Sequence, residues 1–238
     1  MSFVHNFGAF IQRKQSDYHI LAVFMLGFLA ISFNWELAVT YVILVVTDKW
    51  IYEKQSKGYP ISSAVSNSMW AIEAIATLGL FLIFSTFLVS TVAPQLLFSG
   101  GGFIEGAQSI FQLLSASTPI LKDNTVLTFL SWAIFVPIIE TVLFNGRLLG
   151  FFMNKFKGVT KNDLEVKGLA IFTVAATFTL FHLTSKGLDS TVLLITFVFS
   201  IMSSLLVIRH KNLKGAILLH CLTNSAAVLS QFGWGPFA

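Results

Sequence analysis

Residues Phe129–Gly150 read FLSWAIFVPIIETVLFNGRLLG, and the only charged side chains in the stretch are Glu140 and Arg147. At about 1.5 Å per helical residue, a run of this length covers the roughly 30 Å hydrocarbon core of a bilayer. A charge held at that depth costs about 2.5–3.5 kcal/mol on insertion scales, so Glu140 is a functional hypothesis by default. Two further apolar runs carry the same kind of intrusion. Ile171–Leu183 (IFTVAATFTLFHL) holds His182, and Ala216–Leu229 (AILLHCLTNSAAVL) holds His220 and Asn224. A carboxylate, two imidazoles and an amide are the inventory of a hydrolytic or proton-transfer site.

The rest of the chain has the composition of a membrane protein. Hydrophobic residues make up 55% and charged residues 11%, against about 25% charged in a soluble domain. The expected fold is all-α, a polytopic transmembrane helical bundle of six to eight spans with seven preferred, forming one membrane domain over residues 1–238. The +4 net charge sits in the loops between spans, which makes it a topology signal. The expected surroundings are a lipid bilayer, with no nucleic acid. The lone Cys221 excludes an intrachain disulfide and any CxxC redox or zinc motif.

Spans are expected at about Met69–Val92, Val126–Phe152, Leu169–Leu183, Thr191–Ile208 and Leu213–Phe232. Phe103–Leu114 is mildly amphipathic and reads as interfacial. Pro137 removes a backbone donor and frees a carbonyl near position 133. Tyr18–Val46, interrupted by Asn34-Trp35-Glu36, reads as one long helix or as a hairpin of two short ones. The hairpin places 12 Lys and Arg on one side and leaves Lys122 and Lys186 on the other. The positive-inside rule then puts the N-terminus in the cytoplasm, in the cell membrane. Against the hairpin, two helices of about 14 residues are short for a bilayer.

Residues four apart on a helix share a face, so His220 pairs with Asn224, Phe178 with His182 and Glu140 with Phe144. Three helices can thus aim polar tips at one centre, each padded by an aromatic or a second polar group. Glu140 suits a base for water, His182 a partner that shares or positions the proton, and His220 with Asn224 donors to an oxyanion. The residues fix no cofactor. A divalent metal such as Zn is the candidate if one is used, with Glu140, His182 and His220 as ligands. Each residue also has a plain reading: a packing acid, a satisfied bundle-interior His, an interhelical amide. Their occurrence in three spans carries more weight than any one of them.

These residues resemble the motifs of the CAAX-protease and bacteriocin-processing (CPBP, or Abi) family of intramembrane proteases. That family carries EExxxR, usually within EExxFRG, then FxxxH on the next span, then HxxxN or HxxxD two spans on. Here Glu140-Thr-Val-Leu-Phe144-Asn-Gly146, Phe178-Thr-Leu-Phe-His182 and His220-Cys-Leu-Thr-Asn224 take those places. The resemblance covers about Leu127–Leu229. It divides the chain into variable N-terminal helices with an interfacial segment at 1–122 and CPBP-like catalytic helices at 123–233. It implies an intramembrane endopeptidase acting on a membrane-associated or prenylated protein or peptide. In that family the motif Glu and first His activate water, and the last His and Asn stabilise the oxyanion. Glu140, His182, His220 and Asn224 inherit those roles.

Two positions depart from the family pattern. Thr141 replaces the second Glu and Asn145 the Arg. Arg147, seven residues after Glu140, can reach its face indirectly or snorkel to the interface. Thr141, Asn145, Arg147, Phe144 and Phe178 are therefore supporting candidates, and altered or lost peptidase activity is an expectation of its own. A catalytically weak relative with a binding or immunity role, and a small proton-linked carrier, are the alternatives. Glu73 is expected to reach the headgroups or complement the N-terminus of its helix, and His210 to be solvated or interfacial. One geometric difficulty stands: on these spans His182 and His220 differ by about 9 Å in depth.

Overall fold

The computed structural model describes residues 69–92, 103–115, 126, 129–186 and 189–232. The expected hairpin at Tyr18–Val46 and the loop at 47–62 lie outside the described residues. Helices dominate what is described, and no strand occurs among the described residues. In chain order they are α1 (Trp70–Val92), α2 (Phe103–Ser115), α3 (Leu130–Phe156), α4 (Asp163–Lys186), α5 (Ser190–His210) and α6 (Lys214–Gln231). Four of them, α1, α3, α4 over Asp163–Leu183 and α5, are long and apolar enough to cross a membrane. The protein is an integral membrane helical bundle.

The packing follows the apolar spacing. On α1, Ala74, Phe81, Ser85 and Val89 recur at intervals of seven, four and four residues and are buried, while Ile72, Ile75, Ile83, Phe84 and Phe87 face outward. The inner stripe lies on α5 and α6, with Phe81 edge-on to Phe199 at 5.6 Å between ring centres. The segment expected to be interfacial, α2, is packed as well, burying Ala107, Ile110 and Phe111 where it meets α6 and α1.

Polar side chains fix the helix ends. Asn162 starts α4: its Oδ1 accepts the Leu164 N–H at 3.0 Å. Asp189 starts α5, its Oδ1 accepting from the backbone of Thr191 at 2.9 Å and Val192 at 3.2 Å. Lys211, at φ 52°, ends α5 in the left-handed conformation. Buried Asn212 closes the turn, donating to the His210 carbonyl at 2.9 Å and accepting from the Lys214 N–H at 3.0 Å. That turn sets α6 antiparallel to α5.

The α5–α6 turn lies beside the start of α1. Glu73 on α1 accepts from Arg209 Nε at 2.6 Å and Arg209 Nη2 at 3.1 Å, and its Oε2 lies 3.0 Å from His210 Nε2. Because α4 and α5 form an antiparallel pair, the start of α4 lies at this end too. Lys155, Lys157, Lys161, Lys167, Arg209, Lys211 and Lys214 therefore gather at one end of the bundle. One expectation is corrected here: His210 is not solvated, since its side chain is 4% exposed and faces Glu73. Glu73, in the first turn of α1, serves as an interhelical tie.

α3 is not a regular α-helix. Leu130–Phe135 and Thr141–Leu148 wind as π-helix, separated by an α-helical turn at Val136–Glu140 and followed by another at Leu149–Phe156. Such wide turns inside α-helices frequently mark functional sites. In the first, the Val136 N–H reaches the Ser131 carbonyl five residues back. The next donor in that register would be Pro137, which has none. In that register Pro137 withholds a backbone donor from the Trp132 carbonyl, one residue earlier than the α-helical count places it.

Candidate active site

Glu140 closes the short α-helical turn of α3 and is 4% exposed. Its Oε2 lies 3.5 Å from Nε2 of His220 on α6 and 4.0 Å from Nε2 of His182 on α4. His182 and His220 are 9% and 5% exposed. Three helices thus bring one carboxylate and two imidazoles together. The depth difficulty disappears because the helices do not share starting points. His182 lies 19 residues after the start of α4, and His220 six after the start of α6. The lead-in of α4 runs on through the polar segment Asp163–Gly168, beyond the span expected from hydropathy.

The other imidazole nitrogens are held from behind. Nδ1 of His182 lies 2.8 Å from the carbonyl of Phe178, one turn earlier on the same helix. A carbonyl can only accept, so Nδ1 carries a proton and Nε2 is the nitrogen turned toward Glu140; in the neutral ring that nitrogen offers a lone pair. Nδ1 of His220 lies 3.1 Å from Oγ1 of buried Thr141. Of the supporting candidates, Thr141 therefore touches the cluster directly.

Asn224 lies one turn beyond His220, and its Nδ2 donates to the Trp132 carbonyl at 3.0 Å. That is the carbonyl from which Pro137 withholds a backbone donor in the π-helical register. An amide nitrogen carries two protons, so a second N–H remains to be aimed elsewhere. Cys221, beside His220, places its thiol 3.9 Å from the Ile134 carbonyl and packs as a small residue.

Aromatic rings wall the cluster. The Phe178 ring lies 4.4 Å from that of His182 and 6.0 Å from that of His220. Phe144 meets Phe178 edge-on at 5.0 Å and Phe181 at 5.5 Å. Phe199 of α5 lies 4.8 Å from His220, and Phe181 5.6 Å from His182. Phe144 and Phe178 were legible as padding from their four-residue spacing. Phe199 was not: nothing distinguishes it in sequence from the other phenylalanines.

The remaining supporting residues are buried in the second π-helical stretch. Thr141 through Arg147 are all buried, so this winding is enclosed on every side. Asn145 donates from Nδ2 to Ser204 Oγ at 2.9 Å and accepts from Ser203 Oγ at 3.3 Å. It ties α3 to α5 where the family motif has Arg. Arg147 is 8% exposed, so it does not snorkel out to solvent.

The metal reading meets a geometric test. A tetrahedral ion with bonds of about 2.0–2.1 Å needs ligand atoms about 3.3 Å apart. His220 and Glu140 are near that spacing, but His182 stands 4.0 Å from the carboxylate. Among the described residues no group of three His, Cys, Asp or Glu side chains is arranged to hold a metal ion. The expected set of Glu140, His182 and His220 does not fit as it stands, and the chemistry below uses the side chains alone.

No curated protein and no solved structure matches the chain significantly. A family model does match, over the segment that carries all four polar residues and both π-helical stretches. Residues 122–226 match the family described as type II CAAX prenyl endopeptidase Rce1-like, so this segment is similar to the CAAX proteases, a family of peptide hydrolases acting on prenylated, membrane-associated substrates.

Proposed function

We propose that the chain is an intramembrane endopeptidase that hydrolyses a peptide bond of a membrane-associated or prenylated protein or peptide. The observation that carries the reading is the approach of two imidazole Nε2 atoms to one buried carboxylate oxygen, at 3.5 and 4.0 Å. Glu140 Oε2 and His182 Nε2 are both acceptors, too far apart for a direct hydrogen bond. A water about 2.8 Å from each would subtend an angle of about 90°, close to that between its own O–H bonds. Glu140 takes the proton of that water as its oxygen attacks the scissile carbonyl carbon, and His182 fixes its orientation. The oxyanion receives Nε2–H of His220 and the second N–H of Asn224. The amine leaves with the proton returned from Glu140. The phenylalanine wall excludes bulk water and so strengthens each of these interactions.

The same reading places the chain in the cell membrane with its N-terminus and basic end in the cytoplasm. A second reading, a catalytically weak relative with a binding or immunity role, draws support from Thr141 and Asn145, which replace the motif Glu and Arg. The deciding experiment offers prenylated and unprenylated CAAX-type peptides to purified wild type and Glu140→Gln in liposomes, with products read by mass spectrometry. Cleavage by wild type and none by the variant is expected. Equal cleavage by both, or by neither, overturns the peptidase assignment.

A further inference from the structure

We infer that Thr141 is a positioning residue that holds His220 in the tautomer with its proton on Nε2. The inference deepens the peptidase reading and rests on it for its functional half. Two arrangements fit the 3.1 Å contact between Thr141 Oγ1 and His220 Nδ1. Either the hydroxyl donates to Nδ1 and Nε2 carries the proton, or Nδ1–H donates to the hydroxyl and Nε2 is bare. The surroundings separate them. Nε2 faces Glu140 Oε2 at 3.5 Å, and a base that accepts a proton from water must be a carboxylate beforehand. A bare Nε2 at 3.5 Å would set a lone pair against that carboxylate with no room for the bridging water that the 4.0 Å to His182 Nε2 allows. A protonated Nε2 sets a donor there, and the same donor suits an oxyanion.

His182 sharpens the contrast. Its Nδ1 is fixed as a donor by the Phe178 carbonyl, which leaves Nε2 an acceptor. A backbone carbonyl behind one ring and a hydroxyl behind the other give the two histidines opposite tautomers around one carboxylate. One ring accepts from water and the other donates to the oxyanion. The Thr that departs from the family motif is therefore a working part of a neutral-histidine version of the site. Thr141 is 1% exposed, so water does not stand in for its hydroxyl.

The test is nitrogen NMR of protein labelled only at histidine, with His220 assigned by difference against His220→Asn. Wild type is expected to show His220 with an unprotonated Nδ1 and a protonated Nε2. A wild-type His220 carrying its proton on Nδ1 alone overturns the inference without any Thr141 variant. Thr141→Val is expected to move His220 into a mixture of tautomers and to lower kcat about tenfold or more at unchanged KM. Thr141→Ser, which keeps the hydroxyl, is expected to rescue both readouts. Unmoved His220 signals in Thr141→Val sink the structural half, and a moved tautomer with unchanged kcat sinks the functional half. If Glu140→Gln still cleaves while Thr141→Val moves the tautomer, the peptidase mechanism has failed and the positioning role has not.

Discussion

Asn224 on α6 donates its side-chain N–H to the Trp132 carbonyl on α3 at 3.0 Å, beside the point where Pro137 withholds a backbone donor. One residue thus serves both the backbone of α3 and the proposed oxyanion site. Asn224→Ala should lose both. We expect kcat to fall by about 10²–10³, the usual cost of an oxyanion donor. Leaving a buried carbonyl unmet should cost about 1–3 kcal/mol of stability. Peptide cleavage and thermal unfolding in detergent separate the two effects. Asn224→Asp should fare no better, because a carboxylate cannot donate to Trp132.

Glu140→Gln should abolish cleavage while the fold persists. Removing a general base costs about 10²–10⁴ in rate. The amide keeps the volume and removes a buried charge, so the thermal midpoint should hold or rise. Loss of helical circular dichroism in the variant would mean instead that Glu140 is a structural residue.

Asn145 makes two buried bonds, to Ser203 and Ser204. Asn145→Ala should cost about 1–3 kcal/mol, toward the low end because serine hydroxyls can turn back to carbonyls on their own helix. Asn145→Arg, which restores the family residue, should destabilise further, since its larger charged group has only two serines to meet. Thermal midpoints of both variants check the order. A stabilising Asn145→Arg would show that a carboxylate or backbone carbonyl within reach accepts from it.

Glu73 ties α1 to the end of α5 through Arg209 and His210. Glu73→Gln should lower the thermal midpoint, and the loss should shrink at high salt because Arg209 is 70% exposed. The double variant with Arg209→Gln should be no less stable than Glu73→Gln alone. Additive losses would show that the two side chains act independently.

Much of this arrangement was legible in single residues. An acid, two histidines and an amide in apolar runs announced the site, and the four-residue pairs Phe178/His182 and His220/Asn224 announced its faces. The limits of α1, α5 and α6 fell within two residues of those read from hydropathy. α4 begins six residues before its expected start, because Asp163–Gly168 is polar and the cap at Asn162 carries the helix past the apolar boundary. The π-helical winding left no mark in composition. Pro137 signalled an open carbonyl, but its identity depended on the winding and its partner on α6. His210 read as solvated because its partner, Glu73, is 137 residues away in sequence.

The winding of α3 is itself a functional variable. A π-helical turn holds more residues than an α-helical turn, so removing one residue from Leu130–Phe135 would let the helix close into regular α form. That deletion is absorbed where it is made, because five residues at 3.6 per turn sweep nearly the angle that six sweep in the wider winding. Rewinding all six as α-helix without a deletion would instead turn everything before them by about 100° relative to Glu140 and swing the Trp132 carbonyl away from α6. No side chain need change for this to happen, so the site depends on how its scaffold is wound as well as on its polar groups.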